Sequence, residues 1–285
     1  MKNKGMYILL VLIFVIGLSL LLYPTISNAY NSWLHSKAIV EYANQVDELE
    51  KDLFDQQWKL AEEYNKDLLN RKNPFELSPE QEEQYWNLLD LTDKGIMAYV
   101  EIPSVDVILP IAHGTEESTL KEYVGHLEWS SLPVGGESTH CVISGHRGLP
   151  SSELFTNIDH LVLGDKFYIK VLGKTLEYQV CNIAVVEPQD QRLLGISEGK
   201  DMVTLVTCTP YGINSHRLLV QGIRTGTEGA IEQQLPIKNE TTSVDLAVLI
   251  SAILVAVSVI IFVVLLFSGK KKKGRRKQNE SQESN

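Results

Sequence analysis

A cysteine, an arginine and a histidine stand at the ends of apolar runs, where a folded chain presents reactive side chains. Cys208 ends the run 204–208 and precedes a loop that contains proline and glycine, while Arg217 begins the next apolar run. The two residues therefore flank a predicted hairpin loop and can lie side by side on one face of a sheet. His146 follows the apolar run 141–143, so it stands at another strand end.

These three residue types are sufficient for acyl transfer through a thioester. A cysteine nucleophile needs thiolate character, which a neighbouring imidazole or cation supplies. The tetrahedral intermediate needs a donor for its oxyanion, and the Arg217 guanidinium can serve as that donor. The alternatives are structural: Cys208 as an inert buried thiol, His146 as a turn residue and Arg217 as a surface ion-pair residue.

The elements that must position these residues are short β-strands. Apolar runs divided by Pro, Gly and Asp turns follow Gly95, at residues 96–102, 105–111, 140–144, 166–171, 175–186, 202–208 and 217–223. Seven or eight strands with only short intervening helices predict a mainly β domain, a closed barrel or a sandwich.

The segment before the strands is predicted to be helical. Residues 30–70 carry apolar side chains at three- and four-residue intervals and contain no Gly or Pro, which indicates one or two amphipathic helices. The sequence Asn73-Pro74-Phe75 interrupts this pattern, and Ser78 followed by proline is typical of a new helix start. A short loop with an aromatic residue therefore links two helical pieces.

Composition excludes a disordered, collagenous or purely soluble chain. The 285 residues are 44% hydrophobic and 22% charged, with a formal net charge of -10, and at least one packed core is expected. Two runs without charge, residues 6–23 and 246–267, are long enough to cross a bilayer.

Basic residues outside these runs orient the chain. They precede the first run and follow the second, at Lys2, Lys4, Lys270, Lys271, Lys272, Lys273, Arg275, Arg276 and Lys277. The positive-inside rule predicts cytoplasmic termini and an extracellular middle. Alternatively, the first span is a signal peptide cleaved near residues 27–29. Between these termini lie 17 basic and 34 acidic residues, so charge does not favour nucleic-acid binding.

The remaining cysteines and histidines lack metal-ligand spacing. Cys141, Cys181 and Cys208 form no Cys-x-x-Cys pair, which indicates neither a zinc site nor a disulfide framework. Cys141 and Cys181 lie within apolar runs and are predicted to be core residues, with a disulfide between them as the alternative. Arg147 adjoins His146 and is predicted to be an exposed loop residue, with orientation of the loop or contact with the substrate as the alternative. We expect structural or solvent-facing roles for His113, His126, His140, His160 and His216.

Several motifs resemble those of the sortase family. Thr-Leu-Val-Thr-Cys at 204–208 fits the sortase signature Thr-Leu-x-Thr-Cys, with Ser-Gly-His upstream at 144–146 and Arg217 downstream. The likeness extends from about Gly95 to Arg224. The decapeptide Cys-Thr-Pro-Tyr-Gly-Ile-Asn-Ser-His-Arg and the second membrane span further resemble class C, the pilus-assembling sortases.

The resemblance implies an eight-stranded sortase β-barrel that cleaves a Leu-Pro-x-Thr-Gly-like signal between Thr and Gly. By this likeness, Cys208 forms the thioester, His146 exchanges protons with the leaving and entering amines, and Arg217 steadies the oxyanion or positions the peptide. The acceptor is a lysine of another pilin subunit, and no metal or cofactor is needed.

The resemblance also implies a lid. Class C sortases carry an Asp-Pro-aromatic lid motif before the barrel, and Asn73, Pro74 and Phe75 stand where that motif is expected. Asn73 cannot make the ionic contact of a carboxylate, so a weaker, a differently anchored or an absent lid all fit. The alternative is a plain interhelical loop with Phe75 in the core.

The expected organisation combines these segments. Its parts are a cytoplasmic N-terminus with a signal-anchor transmembrane helix (1–29), a helical pre-domain with the lid segment (30–94), the sortase catalytic domain (95–226), a linker (227–243), a transmembrane helix (244–267) and a basic cytoplasmic tail (268–285). The rival functions are a hydrolytic thiol protease, a wall-anchoring sortase of another class and a non-catalytic scaffold.

Overall fold

The computed structural model describes residues 2–92 and 94–226. These residues fall into two compact units, residues 2–29 and a larger unit that begins at Tyr30. The predicted linker, second membrane helix and basic tail lie outside the described residues.

Residues 2–29 belong to the first helix, α1 (Lys2–Glu48). Within the described part of the chain, one helical stretch, Leu12–Glu48, is long and apolar enough to cross a membrane, with a mean hydropathy of 1.8 in its most apolar window. None of that window is buried. A retained anchor and a signal sequence both fit this length and composition.

Eight strands close into a barrel, as the sequence predicts. In chain order they are β1 (Ile96–Ile102), β2 (Val107–His113), β3 (Val124–His126), β4 (Thr139–Ser144), β5 (Lys166–Val171), β6 (Lys174–Val186), β7 (Asp201–Thr209) and β8 (His216–Arg224). Around the barrel the order is β1-β2-β3-β4-β7-β8-β6-β5. The pairs β2–β3 and β4–β7 are parallel, and the other pairs are antiparallel. Strand β3 was not predicted, because three residues are too short for a period-two pattern.

Helices cover part of the barrel and share its core. α2 (Lys51–Leu68) and α3 (Pro79–Asn87) contribute apolar side chains, among them Trp58 and Tyr85, to the same buried cluster as the strands. The predicted start of α3 is confirmed, since Ser78 and Gln81 form a reciprocal capping box. A short helix, α4 (Glu117–Glu122), precedes β3.

The cysteine predictions are half right. Cys141 is buried in the barrel core, but Cys181 is exposed, so its prediction as a core residue is wrong. The pairing of β6 with β8 shifts register between Val180 and Asn182, and β6 has no buried residue beyond the shift. The apolar residues of β6 that follow this β-bulge therefore lie outside the core. The cysteines are all free thiols.

A buried histidine makes the barrel sensitive to acid. The imidazole of His126 is fully buried, and its Nε2–H donates to the carbonyl oxygen of Ser131 at 2.8 Å, so Nδ1 faces the Tyr85 hydroxyl as an acceptor at 3.1 Å. Burial lowers the pKa of His126 to about 3. In the unfolded chain the same histidine has a pKa of about 6.5. As the pH falls, it is therefore protonated in the unfolded state before it is protonated in the folded state.

We therefore expect the free energy of unfolding to fall as pH drops below about 6.5, by about 1.4 kcal/mol per pH unit for this group, down to about pH 3. Urea unfolding of the full chain in detergent at several pH values measures the slope. His126→Gln is expected to reduce it. His160→Gln is the control, because 71% of the His160 side chain is exposed. Equal slopes in the wild type and His126→Gln would contradict the assignment.

Candidate active site

The hairpin of β7 and β8 places a thiol beside a guanidinium. Cys208 is paired directly with Arg217 in the antiparallel register, one step before the last pair. Val206 and Leu219 form the pair two residues away and lie in an outer apolar cluster, whereas Leu205 and its neighbours fill the barrel core. Because side chains alternate along a strand, Cys208 and Arg217 belong to the outer face. The predicted hairpin is therefore present.

His146 emerges at the same edge from the neighbouring strand. β4 runs parallel to β7, with Ser144 paired to Val206. The contact continues one residue further, since Gly145 N–H donates to the Val206 carbonyl at 3.0 Å and the Thr207 hydroxyl donates to the Gly145 carbonyl at 2.7 Å. The next residues on the two strands are His146 and Cys208. The register thus brings the predicted base and nucleophile to one edge.

The local environment of His146 favours the neutral form of its imidazole. Partial burial lowers the pKa of His146 below its usual value of about 6.5. The carboxylate of Glu117 on α4 opposes this shift, and the ammonium of Lys121 adds to it. A neutral imidazole can accept a proton from a thiol as the sulfur attacks.

The charge of Arg217 is not neutralised locally. Its Nη1 donates to the backbone carbonyls of Asn214 at 3.4 Å and His216 at 3.2 Å. Among the residues that the structure describes, no carboxylate lies within ion-pair distance of this guanidinium. A cation without a carboxylate partner, paired across the hairpin with the predicted nucleophile, suits a developing oxyanion.

A small apolar surface lies next to these polar groups. We call it the outer cluster: Val142, Leu194, Val206 and Leu219, with Phe75, Leu127, Trp129 and Val186 packed against it. The loop 187–200 is tied across this face, because Gln221 Nε2 donates to the Leu193 carbonyl at 2.7 Å and His140 Nδ1 bonds the Gly195 carbonyl at 2.9 Å. The cluster therefore lines one face beside Cys208 and Arg217.

The loop between α2 and α3 reaches this surface through Phe75. The ring of Phe75 meets that of Trp129 edge to face, with centroids 5.0 Å apart, and packs against the outer cluster. Phe75 is thus partly buried against the outer cluster and not among the residues of the barrel core. The cluster residues Val206 and Leu219 form the cross-strand pair two residues away from the pair of Cys208 and Arg217, on the same face of the sheet.

Arginine, not Asn73, ties this loop to the barrel. Arg71 donates to the carbonyls of Leu68, Glu76 and Trp129, the last at 2.6 Å. Asn73 Oδ1 instead accepts the Phe75 N–H at 3.1 Å, as in an Asx turn. Asn73 therefore shapes its own loop, and the polar link to the barrel comes from Arg71, which the sequence analysis did not single out.

Arg147 is not the exposed loop residue that was predicted. Only 10% of its side chain is exposed, and its Nη2 forms an ion pair with Asp159. Its Nη1 donates to the Thr209 hydroxyl at 3.3 Å. The partners lie 12 and 62 positions away, so no local pattern could have revealed them.

Comparison with known proteins agrees with the fold. The Sortase domain family matches residues 100–225. Sortase C1 from Streptococcus agalactiae has a TM-score of 0.65 and 43% identity, covering 67% of this chain and 100% of that chain. Sortase C from Streptococcus pneumoniae has a TM-score of 0.62 and 44% identity, covering 68% of this chain and 100% of that chain.

A curated relative, Sortase A from Bacillus anthracis, is 30% identical over 48% of this chain. The aligned region spans 64% of that protein, just under two thirds of its length. The chain belongs to the sortase family, whose members are cysteine transpeptidases. Within that family, the two solved structures described above are class C sortases.

Proposed function

We propose that this chain cleaves a Leu-Pro-x-Thr-Gly-like sorting signal and joins the acyl fragment to a lysine of another pilin subunit. The observation that carries the proposal is the direct pairing of Cys208 with Arg217, at the barrel edge where His146 also emerges. The sortase C of S. pneumoniae adds support, because its structure is described as informing pilin substrate specificity.

In the first half-reaction the thiol of Cys208 attacks the carbonyl carbon of the signal threonine. His146, neutral at rest, takes the thiol proton as the C–S bond forms. Arg217 donates hydrogen bonds to the oxyanion of the tetrahedral intermediate. When the Thr–Gly bond breaks, His146 gives its proton to the departing glycine amine, and the threonyl group remains as a thioester on Cys208.

In the second half-reaction a lysine amine attacks the thioester carbonyl. His146 removes a proton from the attacking amine, and the new C–N bond displaces the Cys208 thiolate. Proton transfer from His146 to that thiolate restores the resting pair. The product is an isopeptide bond between two subunits.

The proposal includes a lid formed by Asn73, Pro74 and Phe75. It is supported by the packing of Phe75 against Trp129 and the outer cluster, one pleat from Cys208. Arg71 anchors the lid loop at its base. This anchor replaces the carboxylate contact that Asn73 cannot make.

The proposal also assigns the chain to the cell membrane, with two spans, both termini in the cytoplasm and residues 95–226 outside as the catalytic domain. The first span is supported by the apolar stretch within Leu12–Glu48. The second span, residues 244–267, rests on the uncharged run and the basic residues that follow it.

Intact mass spectrometry tests the function directly. The full chain in detergent is incubated with a Leu-Pro-x-Thr-Gly peptide, with or without a pilin domain that carries lysine. We expect an acyl adduct on Cys208 that passes to the pilin lysine. Transfer to water alone would support the hydrolytic thiol protease. Transfer to a wall-type amine but not to pilin lysine would support a wall-anchoring sortase.

A further inference from the structure

We propose that Arg147 is a positioning residue that sets the geometry between His146 and Cys208. The inference rests on the proposed function, because it assumes that these two residues exchange a proton. Arg147 follows His146 in the chain, and its Nη1 donates to the hydroxyl of Thr209, which follows Cys208. One side chain therefore joins the residue after the base to the residue after the nucleophile.

The other contacts of Arg147 fix its guanidinium from two further directions. Nη2 pairs with Asp159, which lies in a 3-10 turn at Ile158–His160. The guanidinium also lies over the ring of Tyr211 in the β7–β8 loop, with its carbon 5.8 Å from the ring centroid. A planar fork held by a carboxylate, a hydroxyl and an aromatic face has one orientation, and lysine cannot reproduce it.

The backbone beside Arg147 is shaped to permit this arrangement. Gly148 has a φ of +75°, and a Cβ at that position would stand 3.0 Å from the Tyr211 ring. The glycine therefore allows the ring to approach both Gly148 and the guanidinium. The loop that carries His146 is closed onto the β7–β8 loop by Arg147 and Tyr211 together.

Fold stability is a weak explanation for this cluster. The Arg147 side chain is 10% exposed, and its Nε is buried without a hydrogen-bond partner in the described structure. Its ion-pair partner Asp159 is 31% exposed, and an ion pair with a partly exposed carboxylate contributes little to stability. The contacts instead connect the two chain segments whose separation decides proton transfer.

The chain contains a matched control at the far end of β8. Arg224 pairs with Asp201 at 3.9 Å, lies over the Tyr178 ring at 5.6 Å, and likewise has a buried Nε without a partner. Arg217 and Arg224 are seven positions apart on β8, which corresponds to roughly 23 Å. Arg224→Met removes the same kind of cluster without touching the His146 loop.

The test measures the rate of Cys208 alkylation by iodoacetamide against pH, together with kcat and KM for a Leu-Pro-x-Thr-Gly peptide, with the full chain in detergent. The set is the wild type, His146→Ala, Arg147→Met, Arg147→Lys, Thr209→Val and Arg224→Met. We expect both Arg147 variants to lower kcat about 10- to 100-fold with little change in KM. The pH dependence of Cys208 alkylation in these variants is expected to resemble that of His146→Ala more closely than that of the wild type.

Thr209→Val removes one hydroxyl with little change in shape, so it tests the link even where Arg147→Met does not fold. We expect it to shift kcat and the profile in the same direction as the Arg147 variants, and Arg224→Met to leave both at the wild-type values. A wild-type profile in Arg147→Lys would show that charge alone is needed and would overturn the positioning role. If Arg224→Met lost as much kcat as the Arg147 variants, the loss would reflect general stability. That result would also overturn the positioning role of Arg147.

The same measurements separate this inference from the proposed function. If His146→Ala has the wild-type alkylation profile, the pair is not coupled and the proposed function fails. If His146→Ala shifts the profile and neither Thr209→Val nor the Arg147 variants do, only the role of Arg147 fails.

Discussion

Replacing Cys208 with alanine is expected to abolish acyl transfer while leaving the barrel folded. A thioester needs a thiol, and among the described residues the other two thiols lie elsewhere, since Cys141 is buried in the barrel core and Cys181 is on β6. Removing a catalytic nucleophile costs several orders of magnitude in rate. Cys208 is only partly buried at a strand end, so the loss of packing is small.

The measurement combines peptide turnover, intact mass and thermal unfolding of the full chain. Cys181→Ala is the matched control, since it removes an exposed thiol on β6 whose Sγ contacts only the Gln221 carbonyl at 3.4 Å among the bonds described. It is expected to keep full activity. Retention of transpeptidation by Cys208→Ala with an unchanged melting temperature would exclude Cys208 as the nucleophile.

Replacing Pro74 and Phe75 with alanine is expected to increase the rate of Cys208 alkylation about 10- to 100-fold. The substitution removes the edge-to-face contact with Trp129 and the burial of one aromatic ring against the outer cluster. In the proposed closed lid those interactions together contribute about 1.4–2.7 kcal/mol. Losing them raises the open population by the corresponding factor.

Phe54→Ala is the matched control for this experiment. Phe54 is also a partly buried ring on the helical segment, but it packs against the main core and lies near the Lys174 ammonium. Its loss is expected to lower stability without changing alkylation. Asn73→Ala is expected to have a small effect, because Asn73 bonds only to its own loop. Equal alkylation rates in the wild type and the Pro74, Phe75 variant would count against a lid.

Local sequence patterns were sufficient to predict the strands that carry the site. The pairing of Cys208 with Arg217 follows from a hairpin that is short in sequence, and the position of His146 follows from the end of an apolar run. The fold confirms where these residues lie. Their chemical roles stay predictions.

Features that depend on tertiary pairing were not predictable in this way. The bulge that exposes Cys181 arises from the register of β6 against β8. The burial of Arg147 arises from Asp159 and Thr209, which only the folded barrel brings near. Arg71 was missed for the same reason, since its Trp129 partner is 58 positions away.

The two halves of the site differ in how far apart their residues lie along the chain. Cys208 and Arg217 are nine positions apart, so their hairpin can form on the microsecond timescale of local structure. The contact that brings the His146 loop to β7 joins residues 62 positions apart. The chain between them contains β5 and β6, which lie on the other side of β8, because β4 and β7 are direct neighbours in the barrel. Long-range contacts of this kind form late. A folding chain therefore pairs Cys208 with Arg217 before His146 reaches them, and we expect it to have no transpeptidase activity until the barrel has closed.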